Sequence, residues 1–178
     1  MTTAATFAYR RDSLRRLLRE NSLPALLVSD ELNVTYLTGF TGDSSYLVVA
    51  EDRELLITDG RYTQQLAEEC PDLPLAIRQP GGSLPSFAAD CVAKLGLASL
   101  GIEADNVTVS FREKLHTALK STQLAHTSGL VASLREIKDA GEIAAIRQAI
   151  HIAETAFTEL CQEIRRGQTE KEVADDLE

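Results

Sequence analysis

Two short polar segments carry the side chains best suited to binding in this sequence of 178 residues. The first, at 38–45, places Phe40, Asp43 and Ser44 among two glycines and several hydroxyl groups. The second, at 59–62, reads Asp-Gly-Arg-Tyr. Loops that rigid strands hold in place often carry binding residues. We therefore predict a binding loop at 38–45, and an ordinary strand connection with polar turn residues is the alternative.

The second segment combines a carboxylate with a guanidinium at the start of a predicted helix. Asp59 precedes a helix that begins near Arg61, and aspartate in this position commonly caps free backbone N–H groups. We expect Gly60 to adopt a backbone conformation that is closed to other residues. Arg61 can reach a carboxylate, either in the core or on a ligand. A structural role for Asp59 and Arg61 is our prediction, and a ligand-facing role is the alternative.

The remaining reactive side chains show no catalytic or metal-binding pattern. The three histidines stand far from one another and from any carboxylate at ligand spacing. The acidic residues Glu172, Asp175, Asp176 and Glu178 are expected on one helix, whereas hard cations need ligands that converge from several elements. The sequence contains no phosphate-binding loop, no dinucleotide glycine pattern and no nucleophile elbow. We therefore predict that this chain holds no catalytic residue and no metal ligand.

Charge and cysteine usage limit the partners and the compartment. The formal net charge of −9 disfavours nucleic acid and anionic membrane surfaces as partners. Cys70, Cys91 and Cys161 form no paired motif, which fits a reducing cytoplasm, and we expect Cys91 and Cys161 to be buried. No secretory signal pattern and no apolar run of about 20 residues occur. A cytoplasmic protein is the prediction.

Strand-like and helix-like segments alternate as far as residue 128. A run at 25–28 is apolar without alternation, as expected of a strand buried on both faces. Two strands at 46–50 and 55–58 form a predicted hairpin. A helix at 7–21 carries five arginines, which we interpret as a solvated face rather than an anion site. The alternation predicts an α/β fold, a mixed sheet with helices on both faces.

After residue 128 the pattern becomes purely helical. Asp139 and Glu142 form a capping box, and apolar residues then recur every three or four positions to Ile164. This helix is expected to lie on a larger body, since three heptads are marginal for a coiled coil. A second capping box, Thr169 with Glu172, opens another helix near the end of the chain. We predict two regions, 1–128 and 129–178, and expect the natural polypeptide to continue.

Three segments together resemble one protein family. They read NVTYLTGFTG at 33–42, TDGRY at 58–62 and LREIKDAGEI at 134–143. In this order and spacing, they resemble the amino-terminal domain of the creatinase/prolidase/aminopeptidase P family, the pita-bread metallohydrolases. The resemblance implies a ribonuclease-H-like α/β domain with a six-stranded mixed sheet. It also implies that 129–178 is a linker with the first helices of a truncated pita-bread catalytic domain.

The resemblance also implies a function for the longer protein. Family members hold a pair of divalent ions, often manganese, on five ligands in the catalytic domain, and most cleave the bond before a proline. None of these ligands can be placed on this sequence. From the family resemblance, we predict that the longer natural protein is a metal-dependent Xaa-Pro aminopeptidase or dipeptidase. It would act on proline-containing peptides as a homodimer or larger oligomer.

For the chain itself, the resemblance implies a supporting role. Phe40, Asp43 and Ser44 would line the entrance to an active site that the catalytic domain provides, or would touch the substrate. The chain alone would be inactive, and would serve subunit contact and substrate access. The alternative is a non-catalytic, peptidase-like module that binds a protein partner.

Overall fold

The computed structural model describes residues 4–177, and one mixed sheet organises most of them. Its strands are Ala25–Val28 (β1), Ser45–Ala50 (β2), Glu54–Asp59 (β3), Leu75–Arg78 (β4), Ser99–Glu103 (β5) and Gln123–Thr127 (β6). The strand order is β4-β3-β2-β1-β5-β6. β2 pairs antiparallel with both β1 and β3, whereas the outer pairs β3–β4, β1–β5 and β5–β6 are parallel. The predicted six-stranded mixed sheet is confirmed.

Helices precede, connect and follow these strands along the chain. They are Ala4–Glu20 (α1), Glu31–Thr38 (α2), Thr63–Glu69 (α3), Leu84–Ala93 (α4), Val109–Ala118 (α5), Leu130–Glu136 (α6), Ala140–Glu163 (α7) and Glu170–Asp175 (α8). A short 3-10 helix at Gly60–Tyr62 precedes α3. None of the helices in the described part of the chain is long and apolar enough to cross a membrane.

The central strand β1 is buried on both faces, as its unbroken apolar run predicts. Leu26 and Val28 point into one hydrophobic core, which residues of α1, α2 and α3 complete. Ala25 and Leu27 point into a second core, which α4 and α5 cover. Full burial of a leucine or valine side chain stabilises a fold by about 1.5–3 kcal/mol. Helices on both faces of the sheet are therefore a requirement of this strand, and the predicted α/β architecture is confirmed.

The arginines of α1 do not form the solvated face that the sequence suggested. Arg11 and Arg15 both bind the carboxylate of Glu54, at 2.8 and 2.7 Å, and their side chains are largely buried. Arg15 also donates to the carbonyl oxygen of Ala50, and Arg19 pairs with Glu51. The interpretation as a solvated face is wrong for Arg10, which is buried, and for Arg11 and Arg15, which share the carboxylate of Glu54 on β3.

Helix α2 was not anticipated from the sequence. Asp30 caps its start by accepting a hydrogen bond from the backbone N–H of Asn33. Gly39 ends it in the left-handed conformation, with φ of +82°, and donates its N–H to the carbonyl oxygen of Thr35. Eight residues give too short a stripe for the helical period to show, and two threonines lower the helix propensity.

The contacts divide the chain between Ile137 and Lys138, not after residue 128. Helix α6, assigned by the sequence to the second region, packs with α1 and α2 in the first unit. The second unit contains α7 and α8, and both helices begin with the predicted capping boxes. Cys91 is buried as expected, but Cys161 on α7 is exposed, so the prediction for Cys161 is wrong.

We predict that Gly39→Ala destabilises the protein by about 2–4 kcal/mol, because strain and steric overlap add. Its φ is +82°, and an added Cβ would lie 2.5 Å from the ring of Phe7. Gly82→Ala is the matched control, since Gly82 has φ of +73° and open space around it. The control should cost only about 1 kcal/mol, from backbone strain alone. Urea unfolding measures both, and equal losses would contradict the steric argument.

Candidate functional site

The two polar segments singled out in the sequence lie side by side in the fold. The loop at 39–44 connects α2 to β2, and the segment at 59–62 follows β3. Because Ser45 at the start of β2 pairs with Thr58 near the end of β3, both segments emerge at the same end of the hairpin. Thr58 Oγ1 also donates to the carbonyl oxygen of Ser44 at 2.6 Å, which ties the loop to β3 just before the second segment.

Asp43 presents an exposed carboxylate that neighbouring hydroxyls hold in place. The hydroxyl of Tyr62 donates to Asp43 Oδ1, and Ser44 Oγ donates to the same oxygen at 3.1 Å. The hydrogen bond from Tyr62, followed by that from Ser44, lowers the pKa of Asp43. The same bond raises the pKa of the Tyr62 phenol, because the phenolate would face a carboxylate. Asp43 is therefore ionised at neutral pH.

Phe40 does not lie at the surface of the loop. Its side chain is completely buried in the core beneath α1 and α2. Its ring meets the ring of Tyr62 edge to face, with centroids 5.2 Å apart. The prediction that the Phe40 side chain lines an entrance is therefore wrong, whereas Asp43 is exposed and Ser44 is partly exposed, so both can contact a ligand.

Asp59 and Arg61 form an ion pair with a structural role. Asp59 is buried and accepts from the backbone N–H of Arg61 at 3.0 Å, which confirms the predicted cap. Arg61 Nε and Nη2 each donate to this carboxylate, and Arg78 Nη2 lies 3.7 Å from it. The side-chain hydrogen bond from Arg61 is the main reason that the pKa of Asp59 is lowered. Gly60 does not take a positive φ, contrary to our expectation.

Arg61 retains room for a further contact. Its side chain is 66% exposed, and Nη2 lies 3.3 Å from Ser44 Oγ. A ligand-facing role for this guanidinium stays a prediction. The site thus offers a carboxylate, a hydroxyl and a guanidinium, which can bind charged or hydrogen-bonding groups of a ligand.

Residues 4–177 contain no group of three or more His, Cys, Asp or Glu side chains that could hold a metal ion. Among the charged groups of the candidate site, the carboxylates of Asp43 and Asp59 have lowered pKa values, and the guanidinium of Arg61 is largely exposed. Neither carboxylate is poised near neutral pH, where a general acid or base works best. The arrangement therefore suits binding.

A second polar cluster lies where the parallel strands β1 and β5 end, the usual binding edge of an α/β sheet. Glu103 accepts hydrogen bonds from the N–H of Asp30, from the N–H and hydroxyl of Ser29, and from Asn33 Nδ2. Arg135 of α6 then donates to Asn33 Oδ1 at 2.9 Å. Both oxygens of Glu103 have partners within the protein. This cluster attaches α2 and α6 to the sheet. It leaves little hydrogen-bonding capacity for a ligand.

The fold and the polar loop together define the amino-terminal domain of a peptidase family. Residues 10–137 match the family model described as the creatinase/prolidase N-terminal domain. The chain belongs to this family, and the resemblance drawn from its three sequence segments is confirmed.

Individual relatives agree with this assignment. An uncharacterised peptidase of Bacillus subtilis is 31% identical over 167 residues, which cover 94% of this chain and 47% of the relative. The Xaa-Pro dipeptidase from Bacillus anthracis has a similar structure, with a TM-score of 0.86 and 30% identity over 97% of this chain and 48% of that chain.

A structure of the N-terminal domain alone is also similar. It comes from a cytoplasmic peptidase of Mycobacterium tuberculosis, with a TM-score of 0.64 and 38% identity over 71% of this chain and 98% of that chain. The present chain spans about half the length of the curated relatives it matches.

We predict that Asp59→Asn lowers the free energy of unfolding at pH 7 by about 1 kcal/mol, since Arg61 is largely exposed and solvent screens the pair. The folded pKa of Asp59 is lowered, so its contribution is present above the unfolded pKa of about 4 and is lost as the pH falls through the folded value. The variant should therefore lose less stability than the wild type between pH 4 and lower pH.

Chemical denaturation at several pH values measures this difference. Asp72→Asn, at an exposed turn position, is the control and should leave the pH dependence unchanged. Parallel pH profiles for Asp59→Asn and the wild type would contradict the assigned ion pair.

Proposed function

We propose that this chain is the amino-terminal part of a metal-dependent Xaa-Pro aminopeptidase or dipeptidase, which hydrolyses the peptide bond before proline. One observation carries the proposal. The chain matches the creatinase/prolidase N-terminal domain over residues 10–137, yet it covers only about half of relatives such as the Xaa-Pro dipeptidase from Bacillus anthracis. In this proposal, the catalytic groups lie in the other half of the natural protein.

The second unit supports a continuation of the fold beyond this chain. Helix α7 carries an apolar stripe whose members remain largely exposed, including Ile143, Ile146, Ile150 and Phe157. Phe157 alone exposes 63% of its surface. Exposed apolar stripes of this length usually indicate a surface that another domain or protein covers. We infer that α7 and α8 open a pita-bread catalytic domain, and that the remainder of this domain covers the stripe.

In this proposal, the metal ions of the enzyme are not held by residues 4–177. The described residues offer no cluster of suitable ligands, so they do not fit the divalent pair that the family resemblance implies. We therefore assign the ions, with manganese as the first candidate, to the other half of the protein. This chain alone is inactive in the proposal.

The work of the chain itself is substrate access and subunit contact. Asp43 and Ser44 would stand at the entrance of an active site, where they meet proline-containing peptides. Their exposure on a loop between packed elements supports this role. The proposed assembly is a homodimer or larger oligomer in the cytoplasm, a compartment named for the relative from Mycobacterium tuberculosis.

We expect the full-length natural protein, purified with manganese, to cleave Xaa-Pro dipeptides or longer Xaa-Pro peptides. Chelation by EDTA should abolish the activity, and manganese should restore it. Residues 1–178 alone should release no product. A rapid assay of released amino acid measures each case.

The matched substrate control replaces proline with alanine, and cleavage of that peptide should be much slower. Absence of Xaa-Pro cleavage by the full-length protein under all metal conditions would contradict the proposal. The non-catalytic binding module would then be the better description.

We further predict that Asp43→Ala in the full-length protein raises KM by about tenfold, the equivalent of one lost charge-assisted contact. The rate constant kcat should change little, because the carboxylate takes no part in bond cleavage. Asp52→Ala is the control, since Asp52 is exposed in the turn at the opposite end of the hairpin. Unchanged kinetics on peptides of every length would rule out an access role for Asp43.

A further inference from the structure

The access loop, defined here as residues 39–44, is anchored on one side by α3. Glu69 accepts from both the N–H and the hydroxyl of Thr41, each at 2.8 Å. Gln65 donates to the same hydroxyl at 2.8 Å. These bonds fix the middle of the loop at Thr41, but they do not reach the carboxylate of Asp43.

Two aromatic rings form the floor of the loop. The buried ring of Phe40 and the ring of Tyr62 meet at an angle of 88°. The backbone of Gly42 lies against both rings, and an added Cβ there would approach Phe40 and lie 2.9 Å from Tyr62. A loop that packs this closely has little freedom to move away from Tyr62.

Tyr62 also reaches the exposed end of the loop. Its hydroxyl donates to Asp43 Oδ1, while its ring supports Gly42 from below. The guanidinium of Arg61 lies 5.2 Å from the centroid of the Tyr62 ring and within 3.3 Å of Ser44 Oγ. Tyr62 thus links the buried ring of Phe40 to the exposed carboxylate of Asp43.

We propose that Tyr62 is a positioning residue, which fixes the carboxylate of Asp43 in the direction from which substrate enters. The inference rests on the proposed function, because it assigns the presented carboxylate to a peptide substrate. Preorganised groups bind more tightly, since the free energy of ordering them does not oppose binding. Tyr62 acts through Asp43 and makes no direct contact with the reacting bond.

The first test uses this chain alone and requires no catalysis. Tyr62→Phe removes the hydroxyl and keeps the ring that packs on Phe40. We expect the pKa of the Asp43 carboxyl, followed by NMR titration, to rise towards its ordinary value, because the hydrogen bond from Tyr62 is the main cause of its lowering. The Thr41 amide, which Glu69 holds independently, should keep its chemical shift. Tyr46→Phe is the control, because Tyr46 packs on Phe111 away from the loop.

The second test measures kinetics in the full-length protein. Tyr62→Phe should raise KM for Xaa-Pro peptides by about fivefold and leave kcat unchanged. In the Asp43→Ala background, the same substitution should add nothing, because Tyr62 acts only through that carboxylate. Additive effects would overturn the inference, since they would show that Tyr62 acts on its own.

The two tests separate the two proposals. An unchanged pKa of Asp43 in Tyr62→Phe would overturn the positioning role, whatever the enzyme does. A raised pKa of Asp43 in a full-length protein without Xaa-Pro cleavage would support the hydrogen bond from Tyr62 to Asp43 and reject the proposed function.

Discussion

The burial of β1 on both faces is the constraint on which the rest of the first unit depends. Four consecutive apolar residues, Ala25–Val28, cannot be shielded by one layer of helices. The chain must therefore place helices α1 to α3 on one face and α4 and α5 on the other. The flanking strands β2 and β5 complete the backbone hydrogen bonds of β1. Removing either layer would expose half of a fully buried strand to water.

The same constraint determines where the loop at 39–44 lies. Because β2 runs antiparallel to β1, the connection through α2 must return the chain to the end of the sheet where β3 also ends. Glu54 at the other end of the hairpin is held by Arg11 and Arg15 of α1, so the hairpin cannot tilt freely. The loop at 39–44 and the segment at 59–62 consequently meet on a rigid support.

Regular features were predictable from the sequence, whereas features that depend on distant partners were not. The runs that became β1 to β6 and the capping boxes of α7 and α8 show their structure locally, through apolar pattern and cap residues. Helix α2 is too short to show a helical period. The burial of Phe40 and the pairing of Arg11 with Glu54 depend on residues that come together only in the fold. The polar composition of the loop at 39–44 is visible in the sequence, so the loop could be predicted. The hydrogen bond from Tyr62 to Asp43 could not, because it depends on the fold.

The two polar clusters of the first unit contain similar chemistry but differ in what remains available. Glu103 and Asn33 are each bound by neighbouring groups, and Glu103 accepts hydrogen bonds with both of its oxygens. Asp43 instead receives its internal hydrogen bonds on one oxygen, Oδ1, and lies exposed. An exposed carboxylate that receives its internal hydrogen bonds on one oxygen can still accept a bond from a ligand on the other. This difference in remaining hydrogen-bonding capacity, and not the kind of residue, favours the loop at 39–44 as the functional surface.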